Sequence, residues 1–164
     1  MAQVMVWLPS VSKNTRGNKG LNVGHAALLA DRAAKPSYVS WWPKGGADLN
    51  SPMTNGHSTP SYAHDVQQEG GMPTIVDLPC LNDTAISQWW ARIKDSGFAA
   101  PYSLECLPQS RNYHLFENNC STVVFRAMLI GGAREVADFP AFATMTPPHI
   151  LAWARRLQLA QMQR

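Results

Sequence analysis

Cys120 and His25 are the two residues of this sequence whose types and surroundings fit nucleophilic chemistry. Cys120 lies in the segment NNCST, where a strand and a short turn lead into a helix-spaced apolar run. The free N–H groups and the positive end of a helix N-terminus lower the pKa of a thiol and favour the reactive thiolate. The alternative is that Cys120 is a small apolar residue of the core beside Val123 and Val124.

His25 lies within GHAALLA, a run so apolar that a histidine there requires a reason. Gly24 before it leaves room for another backbone or for a substrate to approach. A cysteine hydrolase needs an imidazole within hydrogen-bond reach of the thiol, and a strand would hold that imidazole rigidly. We therefore predict that His25 is the base, with a core histidine as the alternative.

A third group has to orient this imidazole, and the segment YVSWW offers one. Alternation along a strand puts Tyr38, Ser40 and Trp42 on one face, where Ser40 is the small polar side chain. Its hydroxyl is the predicted acceptor for the imidazole N–H. The other candidates for this role are a backbone carbonyl, Asp31 and Glu117.

Asn118 and Asn119 come directly before the cysteine and fit two roles. Their side-chain oxygens can cap the helix that starts there. Their amides, or the Cys120 N–H, can donate to an oxyanion. Plain capping is the alternative to an oxyanion role.

A metal site is a further alternative, because His57, His64 and Asp65 share one segment of the chain. The favoured interpretation needs no metal and no cofactor. The tryptophans fit either a core or a groove that binds a sugar or an acyl chain. They are Trp41, Trp42, Trp89 and Trp90.

The elements that must position these residues indicate a single α+β domain over residues 1–164. We predict strands at 4–8, 24–30, 38–42, 74–78 and 112–116, with the second and third forming a hairpin. Helices are expected from an Asn82 cap to about residue 96, from Cys120 to the Gly131 stop, and from Pro147 or Pro148 onward. Residues 44–72 show little periodicity and are predicted to form a long loop, as in a lid or a recognition surface.

The composition of the chain limits the kinds of partner and the cell compartment that we expect for this protein. The net charge of +3 is spread along the chain without a basic cluster, which argues against nucleic-acid binding. The chain lacks a signal-peptide pattern and an apolar run of about 18 residues, so we expect a soluble protein made in the cytoplasm. Three cysteines, Cys80, Cys106 and Cys120, do not indicate a disulfide framework.

Taken together, these segments resemble the circularly permuted NlpC-like papain-fold cysteine peptidases, in which the histidine strand precedes the cysteine helix. The resemblance rests on GHAALLA, YVSWWP, the stretch AHDVQQEGGMPTIVDLPCLNDTAISQWW and YHLFENNCSTVVFRAMLIGG, about half of the chain. It implies a small antiparallel sheet packed against helices, with Cys120 as nucleophile, His25 as base and Ser40 as the third polar residue. In papain a glutamine upstream of the cysteine helps to form the oxyanion hole, whereas the residue six before Cys120 here is His114.

The resemblance also implies a function. Similar proteins are bacterial effector toxins, so we expect an antibacterial peptidase or amidase that cleaves peptidoglycan peptides through a Cys-His pair. We further expect delivery into the periplasm of a target cell by a contact-dependent system such as type VI secretion, on a carrier of that machine, and an immunity protein in the producer. The alternatives are a lipid-directed thiol acyl hydrolase or acyltransferase of the same fold, and an inactive binding domain.

Overall fold

The computed structural model of the protein describes residues 1–10, 22–45, 53–54, 56–94, 113–116, 118–139 and 145–163. The strands are β1 Ala2–Trp7, β2 His25–Ala30, β3 Ser37–Val39, β4 Trp42–Pro43, β5 Met53–Thr54, β6 His57–Ser58, β7 Thr74–Leu78 and β8 Tyr113–His114. The helices are α1 Tyr62–Glu69, α2 Asp83–Ile93, α3 Cys120–Ile130 and α4 Pro147–Met162.

An antiparallel sheet of four strands, in the order β3-β2-β1-β7, forms the centre of the fold. Its register sets Trp7 of β1 opposite His25 of β2. Val4 and Val6 point to the main core, whereas Met5 and Trp7 point to a smaller cluster with Tyr62 of α1. The prediction of an α+β fold with a small antiparallel sheet packed against helices is therefore confirmed.

The helices cover this sheet, and their ends follow the predicted caps. The Asn82 side chain accepts the Ala85 N–H at the start of α2, and α4 has proline in its first turn. Helix α3 is buried from Cys120 to Met128 and packs on β2, α2 and α4. Helix α3 is largely apolar, as expected of a helix with so many buried residues, and it also buries Ser121, Thr122 and Arg126.

The prediction of one long loop over residues 44–72 is wrong. This segment contains β5, β6 and helix α1, which begins after Ser61 and ends at Gly70. The Ser61 hydroxyl accepts the His64 N–H at 3.4 Å, and Gly70 closes the helix with a positive φ of 72°. Helix α1 is short and mostly polar, so its sequence shows little of the apolar periodicity that identifies a helix.

Two further boundaries differ from the prediction. Strand β3 pairs with β2 as the predicted hairpin, but Trp42 continues into β4, which pairs with β6. Helix α2 ends at Ile93, and the predicted end near residue 96 lies outside the described residues. Residue 112 of the predicted last strand also lies outside the described residues. Tyr113 and His114 form β8, but Leu115 and Phe116 lie in the turn that follows it. Cys106 also lies outside the described residues.

Candidate active site

Cys120 is the first residue of α3 and lies almost completely buried. The Asn119 side chain caps this helix by accepting the Thr122 N–H at 3.0 Å, as predicted. The Cys120 sulfur accepts a hydrogen bond from the Ala26 backbone N–H, and the Ser121 hydroxyl lies 3.9 Å from it. The helix N-terminus and these donors together favour a negative charge on the sulfur.

His25 opens strand β2 and is buried next to Trp7 and Trp42. Gly24 fixes the approach of the chain: its φ is +79°, and a Cβ there would lie 2.4 Å from the Trp7 carbonyl oxygen. The prediction that Gly24 lets another backbone approach is therefore confirmed. The His25 ring also hydrogen-bonds the Cys120 side chain.

Asp65 is the residue that holds the imidazole. Its Oδ2 lies 3.1 Å from His25 Nε2, so the other ring nitrogen, Nδ1, is left for the Cys120 thiol. Asp65 is fully buried on α1 and also accepts hydrogen bonds from Tyr38 at 2.6 Å and from Trp42 at 2.7 Å. A buried carboxylate is stable only with such partners.

Ser40 lies where the sequence placed it, but it shares its role with Asp65. Its Oγ is 3.1 Å from His25 Nε2 and donates to Asp65 Oδ2 at 2.7 Å. Because the Ser40 proton points to the carboxylate, its oxygen is free to accept from the imidazole N–H. Among the other predicted candidates, Asp31 lies at the opposite end of β2, and Glu117 falls outside the described residues.

Sequence reasoning considered Asp65 only as part of a metal site, yet a signal for its role was present. Tyr38, Ser40 and Trp42 were correctly placed on one face of a strand, and all three donate to Asp65. Three hydrogen-bond donors on the buried side of a strand require a strong acceptor. The nearby carboxylate that could supply it was hidden in the segment predicted as a loop.

The electrostatics of the site favour a thiolate–imidazolium pair. Burial lowers the pKa of His25, but the neighbouring Cys120 and the Asp65 hydrogen bond outweigh it and raise that pKa to about 10. Burial raises the pKa of the Cys120 thiol, but the charge and hydrogen bond of His25 bring it below its usual value. Burial likewise raises the pKa of Asp65, and the His25 hydrogen bond and charge reverse this effect.

The two asparagines are committed to structure. The Asn119 amide donates to the Leu115 carbonyl at 2.8 Å and to the Met145 carbonyl at 3.0 Å. The Asn118 oxygen accepts from the buried Arg126 guanidinium at 3.2 Å. The Asn119 amide that was predicted as an oxyanion donor thus already has two acceptors.

An apolar cleft of about 390 Å³ opens beside Cys120, a volume within the usual range of small-molecule sites. Its walls are formed by the residues after β1, the residues before β2, the turn after β8 and the first turn of α4. Its apolar lining includes Val23, Tyr113, Leu115, Phe116, Met145 and Pro147. None of the four tryptophans is among the described residues that line it, and Trp41, Trp89 and Trp90 belong to the main core.

Residues 51–164, well over half of the chain, match the family model of the IcsB middle domain. The chain belongs to the IcsB middle-domain family. The matched region contains Asp65, Tyr113 and Cys120, whereas His25 and Ser40 precede it. No curated protein and no solved structure gives a significant match to the chain.

In this member of the IcsB middle-domain family, the alternative metal site does not form from the described residues. Within them, no group of three or more histidine, cysteine, aspartate or glutamate side chains could hold a metal ion. His57 stacks on Trp41 and donates to the Lys94 carbonyl at 2.7 Å. His64 lies beside Asp65, with 3.5 Å between its Nδ1 and Asp65 Oδ1. Of the helices described here, none is long and apolar enough to cross a membrane.

Proposed function

We propose that this protein is a cysteine hydrolase of permuted papain-like fold that acts through an acyl thioester on Cys120. The observation that carries the proposal is the continuous chain of contacts from the Cys120 thiol through His25 to Asp65. A nucleophile, a base and a group that orients the base are the three parts that thiol catalysis requires. The order of the histidine strand before the cysteine helix supports the permuted papain-like fold.

The mechanism follows from the charges of these groups. The Cys120 thiolate attacks a substrate carbonyl carbon, forming a C–S bond and a tetrahedral oxyanion. As the oxyanion collapses, the His25 imidazolium gives its proton to the leaving group, and the acyl thioester remains. Neutral His25 then takes a proton from water as that water attacks the thioester carbonyl. The C–S bond breaks, the acyl group leaves as a carboxylic acid, and the thiolate–imidazolium pair is restored. Asp65 keeps the imidazole oriented and stabilises its charged form.

The cleft supports an apolar acyl group as the part of the substrate that binds beside Cys120. Its walls are mainly Val, Leu, Phe, Met and Pro side chains, and burial of each methylene in such walls contributes about 0.8 kcal/mol. This observation favours the lipid-directed acyl hydrolase or acyltransferase. The peptidoglycan peptidase, favoured on sequence, uses the same thioester and stays a prediction, as do the effector role, the secretion carrier and the immunity partner.

The first experiment tests for the thioester. We expect incubation with p-nitrophenyl octanoate to release p-nitrophenol and to add one octanoyl group to the protein in intact-mass spectra. Cys120→Ala abolishes the adduct, and His25→Ala slows turnover by about 10⁴-fold because the base is lost. Cys80→Ala, which removes the partly buried cysteine after β7, is the matched control. We expect it to keep both the octanoyl adduct and the wild-type turnover. An adduct that persists in Cys120→Ala contradicts the proposal.

A second experiment separates the substrates. The protein is directed to the periplasm of bacteria, as wild type and as Cys120→Ala, and muropeptides and lipids of the cells are profiled. Altered lipids that require Cys120 support the acyl candidate, and altered muropeptides support the peptidase. Toxicity that does not depend on Cys120 argues against both. An inactive binding domain predicts neither change, together with ordinary thiol reactivity at Cys120.

A further inference from the structure

We propose that the Tyr113 hydroxyl and the Cys120 backbone N–H form the oxyanion hole of this site. The inference rests on the proposed function, because an oxyanion arises only if Cys120 attacks a carbonyl. It assigns a catalytic role to a residue that sequence reasoning passed over. The residue next to it, His114, was the one compared with the papain glutamine.

The position of Tyr113 is the first part of the argument. Its side chain is buried and lines the cleft together with Cys120, so it reaches the place where a substrate carbonyl would lie. Its hydroxyl accepts a hydrogen bond from the Cys120 backbone N–H and donates one to the Cys120 sulfur. The hydroxyl therefore contacts both the nucleophile and the backbone N–H of the same residue.

The surrounding backbone holds this hydroxyl in place. Strand β8 pairs with β5, which sets Tyr113 opposite Thr54. His114 and Asn118 exchange two backbone hydrogen bonds of 3.1 and 3.0 Å, which closes the turn between Tyr113 and Cys120. Donors that are fixed before the reaction need no reorganisation in the transition state, which is the main source of oxyanion stabilisation.

Two neighbouring side chains are engaged in other hydrogen bonds. The Asn119 amide is occupied by two carbonyls, and His114 Nδ1 accepts the Phe116 N–H at 3.3 Å. His114 is not among the described residues that line the cleft. Tyr113 keeps its proton at neutral pH, because burial and the Cys120 charge raise its pKa. The Tyr113 hydroxyl can therefore donate to an oxyanion at neutral pH.

The reaction itself would redirect this hydroxyl. In the free enzyme the Tyr113 O–H donates to the thiolate. When the thiolate forms the C–S bond, the sulfur loses its charge and becomes a weak acceptor. The negative charge moves to the former carbonyl oxygen, which then accepts the Tyr113 O–H and the Cys120 N–H. No proton is transferred between Tyr113 and the substrate in this step.

The test compares two reactions of the same thiolate in Tyr113→Phe. Acyl transfer from p-nitrophenyl octanoate passes through an oxyanion, whereas alkylation by iodoacetamide displaces iodide and forms none. We expect kcat for acyl transfer to fall by about 10²- to 10³-fold. The alkylation rate constant, measured where it no longer changes with pH, stays within about twofold of wild type, because alkylation forms no oxyanion and Cys120 is fully ionised there. Tyr62→Phe removes a hydroxyl that donates to Met72 Sδ at 3.9 Å, and it is the matched control.

A second measurement uses octanal, which forms a hemithioacetal on Cys120 and leaves an oxygen in the proposed hole. We expect Tyr113→Phe to weaken octanal inhibition of alkylation strongly and inhibition by octanol little. Equal loss of acyl transfer and alkylation, or no loss of either, overturns the inference. A wild-type protein that forms no Cys120 thioester overturns the proposed function as well. A thioester that forms equally well in Tyr113→Phe overturns the oxyanion role alone.

Discussion

The two sides of Cys120 differ in the contacts they offer: hydrogen bonds on the His25 side and mainly apolar contacts on the cleft side. On the His25 side, Asp65 is buried and accepts from His25, Tyr38, Ser40 and Trp42. On the cleft side, the lining is mainly apolar, and Val23 and Phe116 remain 39% and 43% exposed. The base is thus fixed by directional hydrogen bonds, whereas the substrate side offers non-directional apolar contact. The chemistry of such a site is specified more narrowly than its substrate.

The largest effect is expected from removing Asp65, the hydrogen-bond acceptor on the His25 side of Cys120. Asp65→Ala removes the shared acceptor of two buried donors, His25 and Ser40, and of two half-buried ones, and we expect the free energy of unfolding to fall by about 3 kcal/mol or more. Asp65→Asn keeps the shape but turns an NH₂ group toward donors, and we expect kcat to fall by roughly 10²-fold. Chemical denaturation and acyl-transfer kinetics measure the two effects.

Ser40→Ala is the control for this comparison. It removes the smaller partner of His25 and leaves the Asp65 contact, so we expect a loss of kcat of only about tenfold. If Ser40→Ala costs more than Asp65→Asn, the serine is the principal orienting group, as the sequence suggested. The Asp65 carboxylate would then serve only to hold the strand.

A pH profile is the second test, because the thiolate and the imidazolium must coexist. The pKa of Cys120 is lowered, so the decrease of iodoacetamide alkylation with falling pH begins at a lower pH than for an ordinary thiol. The pKa of His25 is about 10, so acyl transfer from an amide, whose leaving amine needs a proton, falls as the pH rises through about 10. Alkylation of the unfolded chain is the reference, with the usual thiol pKa of about 8.5.

The outcome that would contradict the ion pair is specific. Alkylation of the folded protein that follows the unfolded reference would show an ordinary Cys120 thiol. In that case His25 would act by removing the thiol proton during the attack. In Cys80→Ala the contribution of Cys80 to the alkylation rate is removed, and only Cys120 and Cys106 remain.

The smallest effect is expected on the apolar side. Phe116→Ala removes apolar surface at the cleft mouth, and we expect kcat/KM for the octanoyl ester to fall by about five- to tenfold. The acetyl ester has far less apolar chain to contact this wall, so we expect a smaller effect on it. Ile75→Ala removes a similarly exposed apolar side chain from β7, outside the cleft, and is the matched control. Equal effects on both esters would show that the acyl group does not bind along Phe116.

The same contrast explains how much the sequence predicted. Cys120, His25 and Ser40 were identified because each has a local signature: a capped helix start, a polar residue in an apolar run and an alternating strand. Most strands and helices had similar local patterns, and the α+β class followed from them. These features depend on residues that are near in sequence, which periodicity and capping describe well.

Asp65 and Tyr113 were missed because their roles depend on tertiary packing. Asp65 reaches His25 only because α1 packs on one face of the sheet, and α1 has too little apolar periodicity to be predicted. Tyr113 reaches Cys120 only because the turn after β8 closes on Asn118. The central place of β1 between β2 and β7 is likewise a long-range property that no local pattern encodes.

The distance in sequence between β2 and α3 has a consequence for folding. Two groups that stabilise the Cys120 thiolate, His25 and the Ala26 N–H, are absent until these two distant elements meet. Contacts between distant segments carry a loop-closure entropy and form slowly. The thiol of a partly folded chain is therefore less reactive than that of the folded protein. The rate at which the reactive thiol appears during refolding reports the completion of the tertiary structure.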